Sequence, residues 1–249
     1  MENEISIANL EQSAVKENSV AKPKTMVKRL LKALLIVSLS LMALLFVVRL
    51  IWRFSGSNQW ELVRDQNGVK VYTLKSPGSD LLKVKGIGRV RSTLAGLVVF
   101  MTDPSTCDYY NCYDSRIIER VDDHLLYSFS RYKYPSPFKP RELMIRTQIH
   151  QNPQTKEVLI VNTSVPDKVP LDDCCFRVTE MNNTMRFTPL GNGEVEVEYI
   201  QNMHEGGYVP DLLLNTNRPK TFYMLFSSIQ ELLDKEKYQN AKLGFIEEK

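Results

Sequence analysis

The chain has 249 residues, 43% hydrophobic and 24% charged, which is the composition of an ordinary globular protein able to bury a core without staples. Residues 1–32 hold six Lys/Arg and four Glu, and Arg49 and Arg53 follow, so of the net +3 this N-terminal part carries +4 and the remainder −1. A near-neutral domain lacks the basic footprint that phosphate backbones require, which excludes a nucleic-acid partner.

The first predicted element is a transmembrane helix. No charge interrupts Ala33 to Val48, and the apolar run extends through Leu30–Leu31 and Leu50–Trp52. About 23 residues at roughly 1.5 Å each reach roughly 35 Å, enough to cross a bilayer's hydrocarbon core. Lys32 and Arg49 lie near the ends, where long side chains snorkel, and Trp52 suits an interfacial anchor. A buried core helix would show a polar face, and a signal peptide would end in a small-x-small site where Arg49, Trp52 and Arg53 stand. Lys22, Lys24, Lys28, Arg29 and Lys32 precede the run. The positive-inside rule then puts the N-terminus in the cytoplasm and the large domain on the periplasmic or lumenal side. The chain divides into a flexible polar tail over 1–29, a membrane helix over 30–53, a linker over 54–57, a domain over 58–238 and a tail over 239–249. Pro23 is expected to break any long helix in the first segment.

Strands come next. Trp60–Val63 and Val69–Leu74 flank Asn67-Gly68, a tight-turn signal, and Leu81–Arg91 follows. Ser92 reads as the N-cap of a helix carrying Leu94, Leu97, Val98 and Met101, which Asp103-Pro104 stops. Further strands are predicted over Ser115–Val121, Leu125–Tyr132, Arg141–His150, Glu157–Val165, Cys175–Met181, Thr184–Leu190 and Glu194–His204. Short turns separate them, including Asn182-Asn183. Short connections imply antiparallel pairing. In the last strand Val195, Val197, Tyr199, Gln201 and Met203 alternate with Glu194, Glu196 and Glu198, so one face is wet and the other covered. The cover is a long C-terminal helix, with Phe222, Leu225, Phe226, Ile229, Leu232 and Leu233 at helical spacing and Asn217 and Pro219 at its start. The fold class is α+β: one curved antiparallel sheet gripping a long C-terminal α-helix.

The cysteines and histidines are poor material for a metal site. Cys107, Cys112, Cys174 and Cys175 contain no Cys-x-x-Cys pair, and His124, His150 and His204 are scattered. Either a Cys107–Cys112 disulfide or four ordinary thiols fits the spacing. No metal or cofactor is expected.

Four segments in order resemble StAR-related lipid-transfer (START) domains, over about residues 58–238. They are the hairpin through Asn67-Gly68-Val69-Lys70-Val71-Tyr72, Pro137-Phe138-Lys139-Pro140-Arg141-Glu142-Leu143, Asp173-Cys174-Cys175-Phe176-Arg177, and Glu205-Gly206-Gly207-Tyr208-Val209-Pro210 continuing to Asn215. The resemblance implies a helix-grip fold around a deep apolar tunnel that binds one lipid or sterol-like molecule, with membrane as partner. Tyr109 stands where the family often has Trp, Glu142 where it has Asp, and Thr147 where some members carry an inward Arg.

Strand parity gives the pocket candidates Tyr127, Phe129, Leu143, Ile145, Thr147, Ile149, Val197, Tyr199, Gln201 and Met203. The helix adds Leu213, Phe222, Leu225, Phe226 and Ile229. Thr147, Tyr199 and Gln201 are polar on a covered face and need partners. Arg141 and Glu142 read as a structural pair, and Gly206-Gly207 as either a hinge or a fixed approach to the helix. The expected function is a membrane-anchored lipid binder and not an enzyme. The alternative is a helix-grip enzyme of the cyclase/aromatase type, for which Glu119 is the nearest candidate acid.

Overall fold

The computed structural model describes residues 23–248. Of the tail expected over 1–29, residues 1–22 lie outside the described residues and 23–29 belong to a helix. The chain forms two compact units, residues 1–51 and Trp52–Lys249.

In the first unit a single helix, α1 (Pro23–Phe54), carries the apolar run. Its last three residues belong to the second unit. Pro23 lies in the first described turn of this helix, where the lack of an N–H costs no intrahelical bond. Leu34, Val37, Leu41 and Phe46 are all exposed. α1 is long and apolar enough to cross a membrane.

The second unit is built on an eleven-stranded sheet. Its strands are β1 (Trp60–Gln66), β2 (Val69–Leu74), β3 (Lys83–Arg91), β4 (Cys112–Arg120), β5 (Leu125–Tyr132), β6 (Arg141–Gln151), β7 (Val158–Ser164), β8 (Phe176–Arg177), β9 (Glu180–Gly191), β10 (Glu194–Gln201) and β11 (Met203–His204). The order is β1-β2-β3-β10-β9-β7-β6-β5-β4, with every neighbour on this path antiparallel. β8 adds a short parallel pairing to β6, and β11 pairs with β9. Helix α2 (Leu94–Thr102) follows β3, while α3 (Asp211–Leu233) and the short α4 (Glu236–Gln239) come last.

Several boundaries differ from expectation for identifiable reasons. Thr93, not Ser92, caps α2, its hydroxyl accepting from Gly96 N–H at 2.9 Å. Asn182-Asn183 is no turn but lies within β9, where the buried Asn183 side chain bonds Tyr199 and the Asn202 N–H. The strand expected over Cys175–Met181 is split between the two residues of β8 and the first two of β9. α3 starts at Asp211 and runs through Pro219, six residues before the expected Asn217. The segment after 239 is packed: Ile246 is buried, and the Glu248 carboxylate accepts from Leu94 and Ala95 N–H at 2.8 and 2.9 Å. It thereby satisfies donors that the first turn of α2 cannot use internally. All four cysteines are bonded, Cys107 to Cys112 and Cys174 to its neighbour Cys175.

One row of paired residues crosses the sheet: Val71, Gly86, Tyr199, Met185, Ile160 and Ile149. Directly paired residues share a face, so this row defines the inner side. α3 packs there on β2 and β3. Gly86 permits that approach, since a Cβ on it would stand 2.3 Å from Phe226. Gly86→Ala is therefore expected to cost about 1–3 kcal/mol by overpacking. Thermal unfolding should show a lower Tm, and adding Phe226→Leu should recover part of the loss.

Beyond α2, Asp103 accepts from Ser105 N–H at 2.8 Å, from Lys237 Nζ at 2.6 Å and from Tyr238 Oη at 2.9 Å. Burial opposes ionisation, but these donors outweigh it and hold the carboxyl at about 2. A folded-state pKa below the unfolded one adds stability at neutral pH that is lost as pH falls from about 4 towards 2. Asp103→Asn should flatten that part of the stability–pH curve measured by urea unfolding.

Candidate functional site

The two halves of the inner face differ in how they are covered. Over β2, β3 and β10 the cover is α3, whose Phe222, Phe226 and Ile229 are buried with Val71, Val84 and Val197. Phe222 stacks on Tyr199 at 5.0 Å between ring centres. Over β4 to β7 the paired rows run Asn183, Asn162, Thr147, Leu126 and then Ser164, Ile145, Ser128, Ile117. Here Ser128, Tyr132, Ile145, Asn162 and Ser164 stay only half-buried, as do Tyr199, Gln201, Met203 and Leu225.

These positions carry hydroxyls and amides but no charge. Thr147 Oγ1 donates to Asn162 Oδ1 at 2.8 Å. Asn183 Nδ2 donates to Tyr199 Oη at 3.3 Å, and Ser115 and Ser130 hydroxyls meet at 3.1 Å. Burial, reinforced by the proximity of Tyr132, pushes the Tyr199 phenol well above its usual range. Burial likewise raises Tyr132, partly offset by a hydrogen bond with Ser130. Both rings thus hold neutral hydroxyls at physiological pH, and both keep accessible surface although protein desolvates them.

Of the expected pocket residues, Leu143, Ile145, Thr147, Ile149, Val197, Tyr199 and Gln201 lie on the inner face, and Phe222, Phe226 and Ile229 face it from α3. Three do not. Tyr127 pairs with Arg146 and Phe129 with Met144, which puts both on the outer face. The Arg116 and Arg131 guanidiniums lie 4.5 and 5.2 Å from the Phe129 ring, and Lys168 sits 3.8 Å from that of Tyr127. Leu213 is 48% exposed. The inner residues missed by parity are Ser128, Ser130 and Tyr132. They emerge only from the register, which pairs them with Ile145, Leu143 and Arg141. Glu119 pairs with Tyr127 on the outer face and bonds Lys168.

Arg141 and Glu142 are both buried but do not pair with each other. Arg141 donates to the carbonyls of Glu205 at 2.8 Å and Gly206 at 2.7 Å, and to that of Lys139. Its guanidinium lies between the Tyr134 and Phe176 rings, at 4.4 and 5.1 Å. Gly206 and Gly207, at φ +65° and +70°, are thereby held in one conformation leading to α3. Glu142 points to the other face and binds Arg177 Nη2 at 2.6 Å. Glu142 also stands near Cys174 and Cys175, a grouping of metal-ligand type. The disulfide and the two guanidiniums around that carboxylate make it unsuited to a cation. Two open hollows lie elsewhere, one beside Arg91 and Gln230, the other on the outer face between Phe129 and Leu171.

No protein-family model matches the chain. An uncharacterized protein of Pseudomonas aeruginosa is 22% identical over 162 residues, spanning 64% of this chain and 79% of its own length. Among solved structures, a STAR-related lipid transfer protein from Xanthomonas axonopodis superposes with a TM-score of 0.65 at 21% identity, over 71% of this chain and 99% of its own. Human StAR-related lipid transfer protein 5 gives 0.60 at 18% identity, over 84% and 97%.

The second unit has the START fold.

The polar row Asn162–Thr147 lies on the inner face of this unit.

Proposed function

We propose that the START unit binds one hydrophobic molecule between α3 and the β4–β7 half of its inner face, and that α1 anchors it to a membrane. One observation carries the reading. Burial raises the Tyr132 and Tyr199 phenols, yet both side chains, like those of Ile145 and Ser128, stay only half-buried, which supports an unfilled space over this half of the sheet. Burying a lipid tail at about 25 cal/mol per Å² supplies the affinity. The hydroxyls and amides suit an uncharged polar group, since a carboxylate or ammonium would meet no counter-ion on these rows. Binding without chemistry fits the same rows, where no carboxylate or imidazole stands ready for proton transfer.

The test is to purify the full chain from membranes in mild detergent, extract it with organic solvent and identify bound lipid by mass spectrometry. One uncharged or weakly polar lipid class near one molecule per chain is the expected result. A folded chain that carries no lipid and takes none from vesicles refutes the reading. Protease protection in sealed membranes checks the proposed orientation, with the START unit opposite the cytoplasm.

A further inference from the structure

The geometry points to a bilayer-facing surface on the START unit, formed by Trp52, Phe54 and Leu212 and fixed against the headgroups by a clamp at Lys75. It rests on the reading of α1 as a membrane span.

The stretch after the apolar run is short and was expected to act as a linker. In the structure it is pinned. Lys75 Nζ reaches four carbonyl oxygens, those of Arg53 and Ser55 at 3.3 Å, Ser76 at 3.2 Å and Ser79 at 2.5 Å. It also lies 5.1 Å from the Trp52 ring centre. A lysine bound to the last carbonyls of a helix satisfies acceptors the helix leaves open and complements its dipole. Gly78 N–H donates to Arg53 O at 2.7 Å, and Asn58 N–H to Lys75 O at 3.1 Å. Gly56 completes the turn at φ +115°, where a Cβ would stand 2.4 Å from Lys75 O.

The same segment grips the beginning of α3. Trp52 Nε1 and Asn215 Nδ2 both donate to Asp80 O, each at 3.0 Å, so the indole and the α3 amide lie within about 6 Å of each other. Leu82 N–H donates to Asn215 Oδ1 at 2.9 Å, and Arg218 Nη1 to Leu82 O at 3.0 Å. Leu212 precedes Asn215 by three residues and so shares its side of α3. Leu212 is 76% exposed and Phe54 67%. Large apolar side chains gathered where an apolar helix ends are costly in water and favourable among headgroups, where Trp and Tyr concentrate. The occupant is the lipid bilayer that α1 is read to cross. The surface continues the apolar run that ends at Trp52–Phe54, and no other partner shares that continuity.

The experiment uses the full chain in phosphatidylcholine–phosphatidylglycerol vesicles, with brominated lipids as depth-dependent quenchers. L212W is compared with E231W, whose residue lies 19 positions along α3, about 28 Å away. Fluorescence from Trp52 and Trp60 is common to both. The expected result is roughly two-fold stronger quenching of the added indole in L212W, as for a side chain seated at the headgroup–acyl boundary. Adding Lys75→Met should remove the difference while the chain stays in carbonate-washed vesicles. A carbonate-resistant chain in which L212W is quenched no more than E231W overturns this inference and leaves the anchor reading standing. Release of the chain by carbonate overturns both. Lipid found by mass spectrometry, or its absence, bears on the binding reading alone.

Discussion

Replacing Glu142 by alanine is expected to destabilise the START unit by about 3–5 kcal/mol, the range for stranding a buried charge. The Glu142 side chain is 1% exposed and that of Arg177 4%. Arg177 Nε bonds Glu142 Oε1 at 2.7 Å, and its remaining donors hold the carbonyls of Pro166, Val169 and Pro170. Without the carboxylate, Arg177 keeps neutral acceptors but no counter-charge, and the 166–170 segment loses its fixed point. At about 2–4 °C per kcal/mol for a domain of this size, Tm should fall by about 10 °C. Differential scanning fluorimetry on the full chain in detergent checks this. Asp172→Ala is the contrast. Its carboxylate is 47% exposed where it meets Arg131 at 2.5 Å, so solvent screening leaves it only a small loss. A Glu142→Ala loss no larger than that of Asp172→Ala would show that Arg177 recovers solvent.

The same pair shows which features the sequence discloses. Adjacent strand residues point to opposite faces, so Arg141 and Glu142 have different partners however natural their pairing looks in one dimension. The alternation in β10 is legible because Glu194, Glu196 and Glu198 mark the wet side without ambiguity. In β5 the signal inverts. Leu125, Tyr127 and Phe129 form the more apolar parity, yet Ser128, Ser130 and Tyr132 face inward. The cause is tertiary: residues 165–177 cover the outer face, where Arg116, Arg131 and Lys168 lie over the Phe129 and Tyr127 rings. A strand covered on both sides has no wet face to set its parity. Asn182-Asn183 misleads for a related reason. Asparagine favours turns through local hydrogen bonds, but a buried Asn183 finds its partners across β10 and at Asn202. The hydroxyl-lined half of the inner face was therefore beyond reach until the register was known.

That inversion supplies the second large effect, because neighbouring residues on β5 then test opposite sides of one sheet. Ser128→Trp is expected to reduce bound lipid by at least about tenfold, some 1.4 kcal/mol, while stability changes by less than about 1.5 kcal/mol. The indole would project between Ile145 and Ile117 into the space read as the ligand's. Phe129→Trp should do the reverse. Phe129 is 2% exposed against Arg116 and Met144, so a larger ring has no room and costs about 1–3 kcal/mol, with lipid retained. Lipid per chain by mass spectrometry and Tm by scanning fluorimetry separate the two outcomes. If both variants lose stability alike and neither loses lipid, the inner face over β4–β7 is packed solid and any ligand lies elsewhere. The comparison isolates the face from the strand: the two residues share backbone neighbours and local sequence, and differ in which side of the sheet they address.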